Sequence, residues 1–476
     1  MAGRRIDASN RGHNPALANV VVRDKFDGSP LAEVSLAGTE QVEQAITAAA
    51  SARENMARLP TWRRQQALEF VADGLRARIE SIAETLTGEV GKTLREARIE
   101  VARAIEVFRT AASEAARIGG EVQPLDVNPR SEGMWCLWRR VPVGVCGFIT
   151  PFNFPLNLAA HKIAPAIAAG CPWILKPALN APLAALQLGE LLMQADLPTG
   201  AFSILPCTHD AAAPLIEDDR IALLSFTGSP AAGWALRARA GRKRVALELG
   251  GNAACIVDVD ADLERAAARI AAGAFGTAGQ SCISVQRVLA HRSVYGPLRD
   301  RLVALTRGLR VGNPRDEATD VGPMIAPDQA ERLSAWIAEA LAAGARVLCG
   351  GTHERSLFAP TLIENVPQGA RLTCDEVFGP IAVLEAYDDF TEAMQRVNAS
   401  RFGLQAGIFT GSLPHALQAH RELHVGAVVL NDVPTTRVDA MPYGGVKESG
   451  AGREGVRFAI EEMTELRTLV FGGPVA

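Results

Sequence analysis

Three polar side chains stand in short segments where chemistry on a carbonyl group could take place. Cys282 follows Gly279-Gln-Ser, Glu248 ends an apolar run just before two glycines, and Asn153 lies between two prolines. A thiolate can attack a carbonyl, a side-chain amide can stabilise the resulting oxyanion, and a carboxylate can activate water. A thiol with an ordinary pKa of about 8.5 needs partial activation for that role. Taken alone, however, any cysteine is more often a packing residue.

A fourth segment could hold a nucleotide that accepts a hydride. Phe226-Thr-Gly-Ser-Pro-Ala-Ala-Gly233 follows an apolar strand pattern and opens a helical one, so backbone N–H groups there could approach a phosphate. The segment is not G-x-G-x-x-G, and no acidic residue lies at the usual distance after it. By itself the segment is therefore a weak indication of nucleotide binding. Its combination with the other three segments is what makes nucleotide binding a specific prediction.

These segments lie on an alternation of apolar strands with helices of ten to fifteen residues, which predicts βαβ units and a mostly parallel sheet. The first series has strands at 143–149, 173–176, 202–205, 221–226 and 245–249, and helices at 155–169, 181–195 and 230–240. The second has strands at 254–257, 287–291, 407–410 and 427–430, and helices at 263–276 and 329–343. Residues 39–119 are predicted to be helical before both series. The fold class is α/β.

Composition narrows the function classes. Lys plus Arg is 49 against Asp plus Glu at 53, a net charge of -4, which argues against nucleic acid or a membrane surface as the partner. No apolar run follows the two N-terminal arginines, so we expect no secretory signal. The eight cysteines form no C-x-x-C pair and no cluster with histidine, so we expect no metal site and a reducing, cytoplasmic location.

Six motifs in register closely resemble the aldehyde dehydrogenase superfamily over essentially the whole chain. They are Pro151-Phe-Asn-Phe-Pro155, Lys176-Pro-Ala, Phe226-Thr-Gly-Ser229, Leu247-Glu-Leu-Gly-Gly251, Gly279-Gln-Ser-Cys282 and Glu376-Val-Phe-Gly-Pro380. Their order and separations, such as 34 positions from Glu248 to Cys282, are similar to those of the family. The resemblance implies NAD(P)-dependent oxidation of an aldehyde to its carboxylate.

The resemblance also implies catalytic roles. Cys282 would be the nucleophile that forms a thiohemiacetal, and the Asn153 amide with the Cys282 backbone N–H would form the oxyanion hole. Glu248 would activate the water that hydrolyses the thioester. The implied site for NAD or NADP consists of Ile149, Pro151, Phe152, Lys176, Phe226, Gly228, Ser229, Leu249, Glu376 and Phe378. In it Ser229 would meet the pyrophosphate and Lys176 the adenosine ribose, with Glu376 at the nicotinamide ribose and Phe378 against the nicotinamide ring.

The domain organisation expected from the resemblance has three parts. Residues 1–118 and 140–247 would form a Rossmann-like NAD(P)-binding domain, and residues 248–435 an α/β catalytic domain. Residues 119–139 and 455–476 would form a small β extension for assembly into a homodimer or homotetramer. The strand pattern near the end, at 463–471, has no obvious sequence neighbour, so it could pair with another subunit or form the rim of its own domain.

Two departures from the family pattern affect the cofactor and the substrate. Leu179 stands where NAD-preferring members often have a glutamate. A 2′-phosphate would therefore meet no negative charge there, and we expect NADP to be at least tolerated. NAD could still be the preferred cofactor. His161 replaces a bulky aromatic residue, which favours the branch with lactaldehyde, non-phosphorylating glyceraldehyde-3-phosphate and phosphonoacetaldehyde dehydrogenases and a small polar aldehyde. Ser281 stands where phosphate-using members often have arginine, which argues against a dianionic substrate.

Further substrate contacts and two competing functions stay open. Arg109 and Arg437 could bring positive charge to the pocket mouth, although a helix arginine is more often solvated or paired. His161 could contact the substrate or could instead be a buried histidine bonded to backbone. Arg287 is expected to make a structural contact. One alternative function is acyl transfer to coenzyme A, which the presence of Glu248 disfavours. The other is a non-catalytic binding protein, which the presence of both Cys282 and Asn153 disfavours.

Overall fold

The computed structural model describes residues 4–6 and 18–472, with side chains described from residue 18 onward. The remaining parts of the predicted segments 1–118 and 455–476 lie outside the described residues. Near the N-terminus a small sheet has the strand order Arg4–Ile6, Pro30–Ser35, Asn19–Arg23.

A six-stranded sheet forms the first α/β unit. Its order is Gly450–Ala451, Arg244–Glu248, Ile221–Thr227, Val145–Ile149, Trp173–Lys176 and Phe202–Ile204. The strands are parallel except for Gly450–Ala451, which returns from late in the chain and runs antiparallel to Arg244–Glu248. Val145–Ile149 is buried along its whole length, as its unbroken apolar sequence requires of a central parallel strand. The carboxyl ends of neighbouring strands therefore meet at one edge.

The helices of this part of the chain pack on that sheet and on one another. They are Thr39–Arg58, Thr61–Ala77, Ile79–Val90, Leu94–Ala115, Pro155–Ala169, Leu183–Leu192, Ala213–Glu217 and Pro230–Arg239. The predicted helical region 39–119 is thus four helices. Pro155–Ala169 agrees with its prediction because Pro155 occupies the first helical position and Gly170 ends the helix in a left-handed conformation with φ of 82°.

A seven-stranded sheet forms the second α/β unit. Its order is Arg346–Cys349, Thr361–Glu364, Ile381–Tyr387, Arg287–His291, Ala254–Val257, Gln405–Phe409 and Ala427–Leu430, with only Arg346–Cys349 antiparallel. Its helices are Leu263–Phe275, Arg292–Gly308, Pro327–Ala342, Arg371–Cys374, Phe390–Asn398 and Leu413–Glu422, whereas the late helix Val456–Glu462 packs on Pro155–Ala169 in the core of the first unit. A short hairpin pairs His353–Glu354 with Leu357–Phe358, and a long-range pair joins Phe402–Gly403 to Val446–Lys447. The α/β fold class is confirmed.

The predicted terminal strand has its partner within the chain. Thr464–Phe471 pairs antiparallel with Trp135–Pro142, which pairs in turn with Gly120–Pro124. The rings of Trp135 and Phe471 stack at the end of this ladder with centroids 3.9 Å apart. The three strands stand apart from both large sheets as a separate ribbon. Within the described ranges, no helix has the length and apolar character needed to cross a membrane.

Candidate active site

A cavity of about 430 Å³ lies between the two units and contains the side chains of all three predicted catalytic residues. Seven of the ten predicted cofactor residues also line it, and only Ile149, Lys176 and Phe226 of that set do not. The residues considered below that line it are Arg103, Pro151, Phe152, Asn153, Thr227, Gly228, Ser229, Glu248, Leu249, Gly250, Thr277, Ser281, Cys282, Glu376, Phe378, Arg437, Tyr443 and Glu454.

The nucleophile follows a strained turn. Thr277 and Ala278 adopt left-handed conformations with φ of 50° and 51°, and Gly279 follows with φ of 67°. Such conformations are costly for residues with a side chain and cluster at functional sites. A Cβ on Gly279 would lie 2.1 Å from the carbonyl oxygen of Gly379, so only glycine fits there. The turn ends the helix Leu263–Phe275 and delivers Cys282 to the cavity.

The Cys282 thiol is free and partly exposed, and its sulfur lies 3.1 Å from the phenol oxygen of Tyr443. Burial raises the pKa of Cys282 to about 12, and the hydrogen bond with Tyr443 opposes that rise. The guanidinium of Arg437 lies over the Tyr443 ring, 3.7 Å from its centroid, and also favours the thiolate. Tyr443 therefore belongs to the site, although the sequence analysis missed it.

The side-chain amide of Asn153 is buried beside the nucleophile loop. Its Nδ2 donates to the carbonyl oxygen of Gln280 at 2.9 Å. An amide nitrogen carries two hydrogens, so this bond fixes the side chain and leaves the second hydrogen for an oxyanion. The Asn153 backbone carbonyl accepts a hydrogen bond from Lys92 Nζ at 2.8 Å. The prediction that Asn153 and Cys282 come together is consistent with this geometry.

Glu248 is buried at the end of its strand, and its Oε2 has no hydrogen-bond partner. Burial, and next the negative charge of Glu454, raise the pKa of Glu248 well above its ordinary value. Arg437 and Lys162 act in the opposite direction. A raised pKa makes the ionised carboxylate a stronger base toward water, which suits a general base.

Behind Glu248 lies an ion pair that the sequence analysis missed. Lys162 Nζ lies 3.0 Å from Glu454 Oε1 and donates to Ser225 Oγ at 2.8 Å. Burial alone would raise the pKa of Glu454, but Lys162 and Arg437 together lower it to about 2. The signal in the sequence was the residue type. Apart from Asn157, the only polar side chains in the buried helix Pro155–Ala169 are His161 and Lys162.

Several predicted cofactor residues meet at the carboxyl edge of the six-stranded sheet. Ile149 lies opposite Lys176 on one side and Phe226 on the other. Ile149 and Phe226 pack with Leu249 in one apolar cluster. In open parallel sheets, ligands bind outside this edge.

Glycines occupy two positions beside this edge where a side chain would not fit. A Cβ on Gly228 would lie 2.5 Å from the Phe226 ring, and one on Gly250 would lie 2.2 Å from a Glu376 carboxylate oxygen. Ser229 caps the helix Pro230–Arg239 by accepting from the Ala232 N–H at 3.4 Å. A pyrophosphate fits such a helix N-terminus, where backbone N–H groups point outward. These residues therefore fit NAD or NADP.

The predicted nicotinamide residues lie at the inner end of the same cavity. Glu376 Oε1 accepts from the Gly251 N–H at 3.2 Å, and burial raises the pKa of Glu376 to about 7. Phe378 has a left-handed φ of 48°, and its ring meets Phe152 edge to face with centroids 5.9 Å apart. Both aromatic residues line the cavity, as does Pro151.

Of the predicted substrate residues, Arg437 lines the cavity and His161 lies behind it. His161 is buried, with Nε2 2.8 Å from Asp439 and 3.2 Å from Arg437. Burial and then Arg437 lower the pKa of His161, which favours the neutral ring. The predicted alternative of a buried histidine agrees with this position, but the partners of its ring are the side chains of Asp439 and Arg437 rather than backbone groups. Arg103, which the sequence analysis did not consider, also lines the cavity and pairs with Asp439 at 2.6 Å.

Arg109 and Arg287 both make structural contacts. Arg109 does not line the cavity, because its guanidinium pairs with Asp73 at 3.2 Å on the neighbouring helix. The structure thus does not bring Arg109 to the site. Arg287 pairs with Glu385 at 3.1 Å, in agreement with the expected structural role.

Comparisons with known proteins agree with this site. A model of the aldehyde dehydrogenase family matches residues 14–469. A 3-sulfolactaldehyde dehydrogenase from Priestia megaterium is 45% identical over 452 residues, covering 94% of both chains. Aldehyde dehydrogenase 21 from Physcomitrella patens, solved in complex with the reaction product succinate, has a TM-score of 0.98 at 42% identity and covers 99% of both chains.

A second solved structure is a glyceraldehyde-3-phosphate dehydrogenase from Methanocaldococcus jannaschii complexed with NADP. It has a TM-score of 0.92 at 35% identity, covering 96% of this chain and 100% of that chain. These similarities confirm the predicted fold and an oxidoreductase that uses NAD or NADP. The chain belongs to the aldehyde dehydrogenase family.

Proposed function

We propose that this aldehyde dehydrogenase oxidises small aldehydes that carry a single negative charge at the end remote from the aldehyde group. The observation that carries the proposal is a cluster of charged side chains in the cavity lining and directly behind it. Arg103, Arg437 and Glu454 line the cavity, and Lys162 and Asp439 pair with them from behind. Three cations and two anions leave one positive charge in surplus in this cluster.

Two relatives that are more than 40% identical to this chain support a monoanionic substrate, whereas the glyceraldehyde-3-phosphate dehydrogenase is 35% identical. The Priestia megaterium relative is named for 3-sulfolactaldehyde, whose sulfonate carries one charge. The Physcomitrella patens relative was solved with succinate as the reaction product, and the corresponding aldehyde carries one carboxylate. A phosphate substrate would bring up to two charges to this wall, and Ser281 adds no cation beside the nucleophile. Both points favour a monoanion over a phosphate.

In the proposed mechanism, the Cys282 thiolate attacks the aldehyde carbon to form a thiohemiacetal. The second hydrogen of Asn153 Nδ2 and the Cys282 backbone N–H stabilise the oxyanion. Ser229, Lys176 and Glu376 would hold NAD or NADP, which when bound would supply the acceptor for the hydride that leaves the thiohemiacetal carbon as the thioester forms. Ionised Glu248 then removes a proton from water, which attacks the thioester carbon and expels the Cys282 thiolate. The presence of Glu248 in the cavity favours hydrolysis over transfer to coenzyme A.

We further propose that NADP binds as well as or better than NAD. The Lys176 side chain is buried, and among the described residues its Nζ makes one hydrogen bond, a long one of 3.4 Å to the Pro177 carbonyl oxygen. Burial lowers the pKa of Lys176, and no carboxylate opposes this effect. A 2′-phosphate would provide the missing anion, and Leu179 places no negative charge nearby.

The assignments of domains, assembly and location are also proposals. The two large sheets support a cofactor domain at 1–118 and 140–247 and a catalytic domain at 248–435. The separate ribbon exposes apolar side chains on both of its faces, namely Val122, Leu466, Leu469 and Val470. This exposure supports the segments 119–139 and 455–476 as the interface of a homodimer or homotetramer. All eight cysteines are free, which supports a cytoplasmic location.

A spectrophotometric screen of cofactor reduction tests the proposed function. It crosses NAD and NADP with succinate semialdehyde, 3-sulfolactaldehyde, lactaldehyde, glyceraldehyde-3-phosphate and benzaldehyde, and Cys282→Ala serves as the matched inactive control. We expect the highest kcat/KM for the two monoanions. A preference for uncharged lactaldehyde or for the phosphorylated substrate would contradict the proposed charge of the substrate. Turnover by Cys282→Ala would contradict the mechanism.

A further inference from the structure

A buried ion pair outside the reacting groups joins the oxyanion loop to a neighbouring helix. Lys92 and Glu100 have fully buried side chains that pair with each other. Lys92 Nζ also donates to the Asn153 backbone carbonyl at 2.8 Å and lies 4.0 Å from the centroid of the Phe154 ring. Neither charged residue lines the cavity. Their contacts are with the backbone and the ring of the segment that presents the Asn153 amide.

The other oxygen of Glu100 caps a helix that is not its own. Glu100 Oε1 accepts from the Leu156 N–H at 3.0 Å and from the Asn157 N–H at 3.1 Å, at the start of Pro155–Ala169. Phe154 precedes that helix and provides no side-chain cap. A helix end without partners leaves N–H groups unsatisfied, and a carboxylate there is favoured by the helix dipole. The position of Asn153 is therefore set by Glu100 through the helix and by Lys92 through the carbonyl.

Glu96, one helical turn before Glu100, contacts the turn that leads to the nucleophile. Glu96 Oε2 accepts from Thr93 to form the capping box of Leu94–Ala115, and Glu96 Oε1 accepts from the Thr277 N–H. Thr277 begins the strained turn that leads to Cys282. Residues four apart lie on the same helix face. One helix therefore holds the Asn153 loop and the Cys282 turn from neighbouring positions.

Burying two charges is costly, and an apolar pair of similar volume would usually stabilise the fold as well or better. Stability alone is thus a weak reason for a buried lysine and glutamate here. What the ion pair offers that apolar side chains cannot is directional bonding to one carbonyl and two N–H groups. We propose that Lys92 and Glu100 are positioning residues that hold the Asn153 amide in the oxyanion hole, with Glu96 fixing the facing turn. This inference rests on the proposed function of Asn153.

A double-mutant cycle in the full-length enzyme tests the inference, with single-turnover cofactor reduction at saturating NAD or NADP as the readout. Lys92→Met removes the donor to the Asn153 carbonyl. Glu100→Gln retains an oxygen that can accept from Leu156 and Asn157, but it turns an NH2 group toward Lys92. Because small displacements of an oxyanion donor are costly, we expect each variant to lower the single-turnover rate about 10- to 100-fold with cofactor affinity unchanged.

The decisive comparison is made in the Asn153→Ala background. If Lys92 and Glu100 act through Asn153, their effect should nearly disappear once the amide is gone. In that background we expect Lys92→Met and Glu100→Gln to lower the single-turnover rate by less than about twofold. A merely structural role would lower the rate by the same factor in both backgrounds, and that result would overturn the inference. If Lys92→Met fails to fold, Glu100→Gln carries the same comparison.

Glu89→Gln is the matched control. Glu89 is another buried glutamate that caps a helix not its own, accepting from the Leu183 N–H at 2.6 Å and the Ala184 N–H at 2.8 Å. We expect this variant to lower the melting temperature while leaving the single-turnover rate unchanged. An equal fall in rate for Glu89→Gln would also overturn the inference. If Asn153→Ala itself leaves the rate unchanged, the proposed oxyanion role fails instead, so the two failures are distinguishable.

Discussion

The phenol oxygen of Tyr443 lies 3.1 Å from the Cys282 sulfur, and the guanidinium of Arg437 covers the other side of the phenol ring. Without this contact the buried thiol would have an even higher pKa than about 12, because the Tyr443 hydrogen bond opposes the effect of burial. Tyr443 thus connects the positive charge of Arg437 to the nucleophile.

Tyr443→Phe should slow alkylation of Cys282 by iodoacetamide. Loss of the hydrogen bond raises the pKa of the thiol, so less of the reactive thiolate is present at a given pH. A hydrogen bond worth about 1 kcal/mol corresponds to roughly a fivefold slower reaction. Peptide mass spectrometry can follow Cys282, with the exposed Cys374 as an internal control whose rate should not change. Equal rates for Cys282 in both proteins would show that Tyr443 does not favour the thiolate.

Glu248→Gln should separate the two halves of the reaction. Because an amide cannot take a proton from water, we expect steady-state turnover to fall about 100-fold or more while the first-turnover burst of reduced cofactor survives. In the parent enzyme, steady-state turnover should rise with pH as Glu248 ionises through its raised pKa, and this dependence should be absent from the variant. Stopped-flow absorbance measures both phases. Parallel loss of burst and steady state would assign Glu248 another role.

Arg103→Met should weaken the binding of anionic aldehydes selectively. We expect KM for succinate semialdehyde to rise about 10-fold and KM for uncharged butanal to stay within about twofold, since only the anion uses the charge in the cavity wall. Arg109→Met is the matched control, because this arginine lies on the same helix and pairs with Asp73 away from the cavity. Equal effects of the two substitutions, or of one substitution on both substrates, would argue against recognition of an anion by Arg103.

Lys176→Met should reduce the affinity for NADP more than that for NAD. A charge-assisted hydrogen bond to the 2′-phosphate is worth about 1.5–3 kcal/mol, so the Kd for NADP should rise roughly 10- to 100-fold. Quenching of tryptophan fluorescence during cofactor titration measures both affinities without substrate. Lys243→Met, on the loop that precedes Arg244–Glu248, is the control. If both cofactors lose affinity equally, Lys176 contacts a group that NAD and NADP share.

Glu89→Gln should flatten the pH dependence of stability. Burial raises the pKa of Glu89 from 4.5 to about 7 in the folded protein, so between these values the folded state binds more protons than the unfolded state. The free energy of unfolding contributed by this group therefore falls as the pH rises through that interval. Melting temperatures at pH 5 and 8 measure the change. The dependence of melting temperature on pH should be reduced rather than lost, because burial also raises the pKa of Glu376 to about 7.

Local sequence patterns predicted the elements better than the side-chain partnerships. The strands at 173–176, 254–257 and 287–291 agree with the structure because each is a short apolar run between turns. Periodicity also located the helix Leu94–Ala115, but it did not tell which arginine reaches the cavity. Arg103 and Arg109 are six positions apart and point to different sides of the helix, one to Asp439 and the other to Asp73.

The missed residues of the site share a physical reason. Tyr443 and Glu454 belong to a segment with only two-residue strands and an isolated bridge, which no periodicity marks. Their roles depend on Cys282 and Lys162, which are more than 150 positions away. Lys92 and Glu100 act through the backbone of residues 153–157, so no motif marks them. Contacts of this kind come from the packing of distant segments, which spacing along one chain does not encode.

The antiparallel strand Gly450–Ala451 has a consequence for biosynthesis. It completes the edge of a sheet whose other strands all precede residue 249, and Glu454 follows within the same return of the chain. During translation, the sheet edge, the Lys162 ammonium and the Cys282 thiol lack their partners until this segment has left the ribosome. Until residues 450–454 have left the ribosome, a nascent chain has an unpaired edge at the strand Arg244–Glu248 and lacks the carboxylate partner of Lys162, so chaperone protection is most valuable in that interval.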